Sequence, residues 1–180
     1  STEQIGLIKF GTVKRKMTEL ASDNEITQMR SVVGSLGWIA RQCRPDLSYD
    51  VSKGQSVVTK ATLKDLKECN LAVDKARQNS DKGIIWSSDA VSWETAVVVT
   101  ISDASFAQET VIESDGKEKP HRTQKAFMIL LVDPDILSKD TAGCHVWAWR
   151  SLTDKRVCRA TLQGEAHGML SGTEMGDRLR

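Results

Sequence analysis

The sequence predicts an α+β protein. Residues 1–80 read as a mainly helical part, and residues 81–180 as strands followed by one helix. Three observations predict this. Between Ile26 and Ala76 apolar residues recur at three- and four-residue steps, the spacing of one helix face. The polar, turn-rich stretch Asn79-Ser80-Asp81-Lys82-Gly83 then interrupts the pattern and marks the boundary. Beyond it the period becomes strand-like, with β-branched and alternating runs bounded by turn residues.

Ile5–Val13 alternates weakly and suggests a strand or extended segment, and Lys14-Arg15-Lys16 reads as a solvated turn, with nucleic-acid contact as the alternative. Ser22 followed three residues on by Glu25 is a capping-box pattern, and Ile26, Met29, Val33, Leu36 and Ile39/Ala40 then share a helix face. Gly34 and Gly37 inside this helix each cost about 1 kcal/mol against Ala, so close approach of another element is expected there. Pro45 disfavours helix at Arg44, which ends the first helix near Arg41–Cys43 and suits the first turn of a second. Leu47, Val51 and Val57/Val58 supply that helix's apolar side, with Gly54 its weak point. A third helix is predicted over Thr62–Gln78 on Leu63, Leu66, Cys69/Asn70, Val73 and Ala76. After the boundary, Ile84-Ile85-Trp86 reads as a short strand, Ala96–Asp103 as a β-branched strand, 108–120 as a hairpin loop, and Ala126–Val132 as a buried strand stopped by Asp133-Pro134-Asp135. His145–Arg150 alternates as a third strand, putting Trp147 and Trp149 on one face, read as core, with nucleotide stacking as the alternative. From Ala160 onward Leu162, Ala166, Met169/Leu170 and Thr173 step along a helix face.

Hydrophobic residues at 39% and charged residues at 27% are ordinary for a globular protein. A net charge of +1 does not by itself point to nucleic acid. No apolar run approaches the roughly 18 residues of a membrane helix, and the start, Ser1-Thr2-Glu3-Gln4, has no signal-peptide character. It also lacks an initiator Met, so a piece cut from a longer chain is expected. Cys43, Cys69, Cys144 and Cys158 form no CxxC pair; free, reduced thiols are expected, and zinc is not.

Two carboxylates stand out. Asp103 closes the β-branched run and is followed by the small Ala104 and Ser105. It is either a metal-reaching carboxylate at the sheet's end or a turn acid capping Ala104–Phe106. Glu165 lies early in the last helix between Gly164 and Ala166, small residues that would let the helix approach the sheet and bring Glu165 towards Asp103. A lone Glu there is otherwise an ordinary solvated helix residue. Two such carboxylates could share divalent ions about 3.5–4 Å apart for phosphodiester hydrolysis, and hard oxygen ligands fit Mg²⁺ or Mn²⁺ better than zinc.

Five segments carry a resemblance. Met29–Leu47 resembles the "YRSLVGSLxYLAxxTRPD" segment that follows the polymerase palm in copia-type retrotransposon polyproteins. Ser102-Asp103-Ala104-Ser105 resembles the "SDAD/TDAS" that opens their RNase H domain, and His121–Ala126 resembles their "RSTSG/RSQGG" motif. Trp149–Val157 is similar to "WxSxKQxxV", and Ala160–Ala166 to "SSTEAEY". The five occur in family order across residues 29–166.

The resemblance implies a helical reverse transcriptase thumb and connection region over 1–80 and a partial RNase H-like domain over 81–180, with a sheet of three antiparallel strands plus one helix. It implies that Asp103 and Glu165 are catalytic and bind Mg²⁺ or Mn²⁺. Arg150, Lys155, Arg156 and Arg159 become candidate contacts to the backbone of an RNA–DNA hybrid, and Arg122 either such a contact or a structural residue. Further partners would be the rest of the polyprotein, with no membrane, in a cytoplasmic virus-like particle or the nucleus. The activity implied is ribonuclease H; the alternative is a non-catalytic nucleic-acid-binding or scaffolding remnant. The sequence departs from the family pattern at Gly54-Gln55-Ser56, Gly164 and His167, and none of Asp115, Asp133, Asp135 or Asp177 stands where the family's third aspartate should. The polymerase's paired aspartates are not in the chain, and Arg180 ends it inside the last helix. Little or no activity is therefore expected of the chain by itself.

Overall fold

Ser22 opens the first helix by the exchange its spacing from Glu25 predicts. Its side chain accepts from the Glu25 N–H, and the Glu25 carboxylate accepts from the Ser22 N–H at 2.8 Å. In this computed structural model, which describes residues 2–11, 14–112, 118–154, 156 and 158–178 (backbone only in 107–112 and 118–122), the chain divides into two compact units, Ser1–Gly83 and Ile84–Arg180. The architecture is α+β: helices first, then a three-stranded antiparallel sheet.

The first unit holds α1 (Asp23–Gln42), α2 (Ser48–Val57) and α3 (Leu63–Gln78). Pro45 starts a short 3-10 turn, Pro45–Leu47, before α2. Met29, Leu36, Leu47, Leu66 and Val73 are fully buried between these helices, each contributing roughly 1.5–3 kcal/mol over its exposed state. Thr62 caps α3 with a second capping box, closed by Asp65. Gly37 and Gly54 do sit in close contacts, with Val51 and Val33 respectively, whereas a Cβ on Gly34 would meet open space. Gly34 is on the exposed side of α1, one residue off the packed stripe, so its expected packing role is not observed. The segment around Ile8 forms no strand among its described residues. The Asn70 side chain takes the place of a strand partner, accepting from the Ile8 N–H at 2.8 Å and donating to the Ile8 carbonyl at 3.1 Å.

Arg15 corrects the reading of 14–16 as a solvated run. Its guanidinium holds both oxygens of the buried Glu25 carboxylate, at 3.0 and 2.9 Å. Burial works against that charge. The Ser22 N–H, the Arg15 guanidinium, the Ser22 hydroxyl and the Gly11 N–H outweigh it and bring the carboxyl from 4.5 to about 2. A folded-state value below the unfolded one stabilises the fold at pH above about 4.5, and that contribution is lost as pH falls towards 2. The stability gap between the wild type and Glu25→Gln is therefore expected to narrow steadily from pH 4.5 to 2. Thermal melts followed by circular dichroism check this; a gap constant across that window would remove the Arg15–Glu25 pair as a source of stability.

In the second unit β1 (Val97–Ile112), β2 (Glu118–Val132) and β3 (Cys144–Thr153) pair antiparallel in the order β1-β2-β3, with Val97 opposite Val132 and Phe127 opposite Arg150. Of the stretch read as a hairpin loop, 108–120, residues 108–112 and 118–120 are strand, because β1 and β2 extend into it from both sides, and 113–117 lie outside the described residues. Ile84-Ile85-Trp86 forms no strand; Ile85 is 88% exposed and has no alternating partner to bury it. Helix α4 (Thr161–Asp177) lies on β1 and β2. Its packing face is not Leu162, Met169 and Leu170, which are exposed, but Gly164, Gly168, Gly172 and Gly176. These glycines bring the helix backbone against Ala104, the Asp103 carbonyl, Thr100 and Val98 in turn. Glycine at every fourth position leaves no side chain between helix and sheet, so the larger residues are turned outward.

Candidate metal centre

Asp103 does not sit at a strand end. The strand runs on to Ile112, and Asp103 pairs with Ala126 in mid-strand. Its neighbours Ser102 and Ala104 direct their Cβ atoms at Gly168 and Gly164 of α4. Side chains alternate along a strand, so the exposed Asp103 carboxylate leaves the sheet on the face opposite α4. Glu165, half-buried, belongs to the second turn of α4 on the other side. The small residues beside it act unequally: Gly164 meets the sheet, while Ala166 is exposed. A shared pair of Mg²⁺ or Mn²⁺ ions needs carboxylates converging from one side, and these two do not fit that requirement.

Another set of side chains does converge. Asp154, just past β3, Cys158 in the connection to α4, and His167 on α4 each offer one ligand atom, all within 4.8 Å of one another. Together they can coordinate a metal ion. Asp154 is buried; Cys158 and His167 are half-buried. The His167 Nδ1 lies 2.7 Å from Asp154 Oδ2 and 3.7 Å from Cys158 Sγ. A carboxylate only accepts, so Nδ1 carries the proton of the shorter contact. The Asp154 backbone N–H donates to the Thr123 carbonyl at 2.7 Å, and Asp154 Oδ1 accepts from the Arg156 N–H at 3.0 Å. Lys125 lies 3.6 Å from Oδ2 and donates to Ser171 Oγ at 3.1 Å. Burial raises the Asp154 carboxyl, yet the Arg156 N–H, His167 and the Lys125 ammonium hold it below its ordinary value.

This set escapes sequence reading for a plain reason. Its signature is Asp-x3-Cys-x8-His, and a search for Cys or His pairs passes over a pair whose first member is an aspartate. The one available signal was His167, a histidine on the α4 turn next to Glu165.

Among the candidate hybrid contacts, Arg150, Arg156 and Arg159 are exposed. Arg150 pairs with Phe127, which faces α4, so it lies on the α4 side of β3. Arg156 and Arg159 flank Cys158, and the Arg159 N–H donates to Gln163 Oε1 at 2.9 Å. Lys155 and the Arg122 side chain lie outside the described residues. Trp147 is not a core residue beside Trp149. A bulge between the Leu130–Val146 and Ile129–Ala148 pairs makes it an extra residue, 40% exposed. It packs edge-on against Trp86 and Trp93, which stack in turn on the buried His145.

In the first unit α2 and α3 border a groove of about 250 Å³. Its rim charges are largely engaged: Lys53 with Glu68, Lys75 with Asp50, and Asp65 in the α3 cap. Burial pushes the Cys69 thiol on its wall up to about 11, which leaves it an inert sulfur. Comparison of the chain with protein-family models, with curated proteins and with solved structures finds no match.

Proposed function

We propose that this chain is a nucleic-acid-handling piece of a copia-type reverse transcriptase/RNase H polyprotein, and that by itself it binds RNA–DNA hybrid without cutting it. In the full-length protein the second unit would belong to the module that hydrolyses the RNA strand with a divalent ion. The order of elements supports this reading, with Asp103 on the first strand and Glu165 on the helix after the third. The observation that carries binding over cleavage is the direction of Asp103, away from α4. Arg150, Arg156 and Arg159 supply exposed cations at and beyond β3, suited to phosphates irrespective of sequence.

The test is a labelled RNA–DNA hybrid titrated by fluorescence anisotropy in EDTA over a range of salt, with a parallel cleavage assay in Mg²⁺. Each neutralised phosphate contributes roughly −0.9 to the slope of log affinity against log salt. Replacing the three arginines by glutamine should flatten the slope by up to about 3 and weaken binding equally for all sequences. No cleavage is expected, and Asp103→Asn should bind like the wild type. Cleavage lost in Asp103→Asn would restore the catalytic reading; no binding by the wild type would end the nucleic-acid reading.

A further inference from the structure

We infer that Asp154, Cys158 and His167 form a site for a borderline transition-metal ion of the zinc and cobalt class, and not for Mg²⁺, which ties the β3–α4 connection to its helix. The inference stands apart from the hybrid reading, since no residue of the anisotropy test is a ligand here.

The donors decide the class. The site offers one thiol sulfur, one imidazole nitrogen and one carboxylate oxygen. Mg²⁺ takes oxygen ligands in near-octahedral geometry, whereas thiolate and imidazole together select Zn²⁺, Co²⁺ and their neighbours. The spacing agrees. A tetrahedral ion with bonds of about 2.0 Å to N and O and 2.3 Å to S separates N from O by about 3.3 Å and N from S by about 3.5 Å. The observed separations are 2.7 and 3.7 Å. The first is short because a proton joins the two atoms where a metal would hold them apart.

The same geometry argues against a catalytic thiol. In a Cys-His-Asp relay one ring nitrogen takes the thiol proton while the other is held by the carboxylate. Here a single nitrogen, Nδ1, faces both Asp154 and Cys158, so the three groups converge on one point. Charge sharpens the selection. Lys125, 3.6 Å from Asp154 Oδ2, opposes an ion held by electrostatics alone. A thiolate bond offsets that repulsion, and Lys125 keeps its second anchor on Ser171. The N–H of Arg156 fixes Oδ1 and leaves Oδ2 directed at the histidine. The consequence is mechanical: Cys158 precedes α4 and His167 lies within it, so an ion bound to both would tie the connection to the helix.

The test is a Co²⁺ titration of the full, reduced, metal-free chain. A sulfur-to-cobalt charge-transfer band is expected in the near ultraviolet, with visible bands of four-coordinate geometry. Zn²⁺ should displace them and a large excess of Mg²⁺ should not. Cys158→Ser should abolish the charge-transfer band with α4 still folded by circular dichroism, while Cys144→Ser leaves it intact. His167→Gln should weaken binding by tenfold or more, on the order of losses seen when metal-site residues are replaced. Zn²⁺ should raise the melting temperature of the wild type and not of Cys158→Ser. A titration without the band, a band unchanged in Cys158→Ser, or displacement by Mg²⁺ would each overturn the assignment.

Discussion

Arg44→Ala is expected to lower the stability of the helical unit by about 3 kcal/mol. Only 2% of Arg44 is exposed, and its guanidinium serves three partners at once. It meets both oxygens of Asp46 at 2.8 and 2.9 Å, and donates to the carbonyls of Ala76 and Asn79 at 3.2 and 2.6 Å. Those carbonyls belong to the end of α3, where helical bonding runs out, so the arginine replaces the missing donors and joins that end to the turn before α2. Its removal leaves acceptors without a donor, at about 1–3 kcal/mol for a buried one. Asp46 is partly open to water and rehydrates, which keeps the figure from being larger. Arg44→Lys should recover less than half, since one ammonium cannot reproduce a planar fork with several donors. Urea denaturation followed at the helical band measures this. A loss below about 0.5 kcal/mol for Arg44→Ala, the range of ordinary surface substitutions, would remove Arg44 from the account of this unit.

The second large effect is a pair of identical substitutions with opposite signs. Gly172→Ala puts a Cβ 2.6 Å from Thr100 Cγ2 and 3.3 Å from Phe127 Cβ. Either α4 lifts from the sheet or Thr100 turns. Overpacking of this kind costs about 1–3 kcal/mol, more than the roughly 1 kcal/mol that alanine offers in a helix. Gly34→Ala in α1 meets nothing within 4 Å, so there the helix preference acts alone and stabilises by about 0.5–1 kcal/mol. Thermal or urea unfolding of the two variants settles it. If both move in the same direction, the glycine face of α4 is not what seats it.

The first unit was legible because its signals are side chains. Ser22 and Glu25 announce a capping box, and Leu63, Leu66, Cys69, Val73 and Ala76 spell a helix face; all are found in those places. The β-branched run at 97–101 likewise marks a strand. The face of α4 was legible only in part: Gly164 pointed to a close approach to the sheet, but counting apolar side chains chose Leu162 and Met169 as the face. The true contact is made by residues that have no side chain to count. Asp103 was misplaced because small residues after it suggested a turn, while pairing with Lys125 and Gln124 carries β1 onward through Ala104 and Ser105. The metal-capable trio is built from the β3–α4 connection and α4 and becomes visible only when that connection folds back against the helix. A sequence pattern holds the ligand types but not that return.

The four glycines of α4 also bear on the order in which the second unit assembles. Relative to alanine they cost about 4 kcal/mol of intrinsic helix preference, and Ala160 offers no side-chain cap to offset it. A 17-residue segment of that composition is below what sustains a helix alone in water. It therefore acquires its turns only as it settles on a surface that already exists. The β1–β2 hairpin, the partner it contacts, must be in register first, and α4 condenses onto it afterwards. A synthetic peptide spanning 160–178 should be unstructured, and in refolding the α4 backbone amides should gain protection from exchange after those of β1 and β2. The late step of this unit is thus written into the residues that have the least to say for themselves.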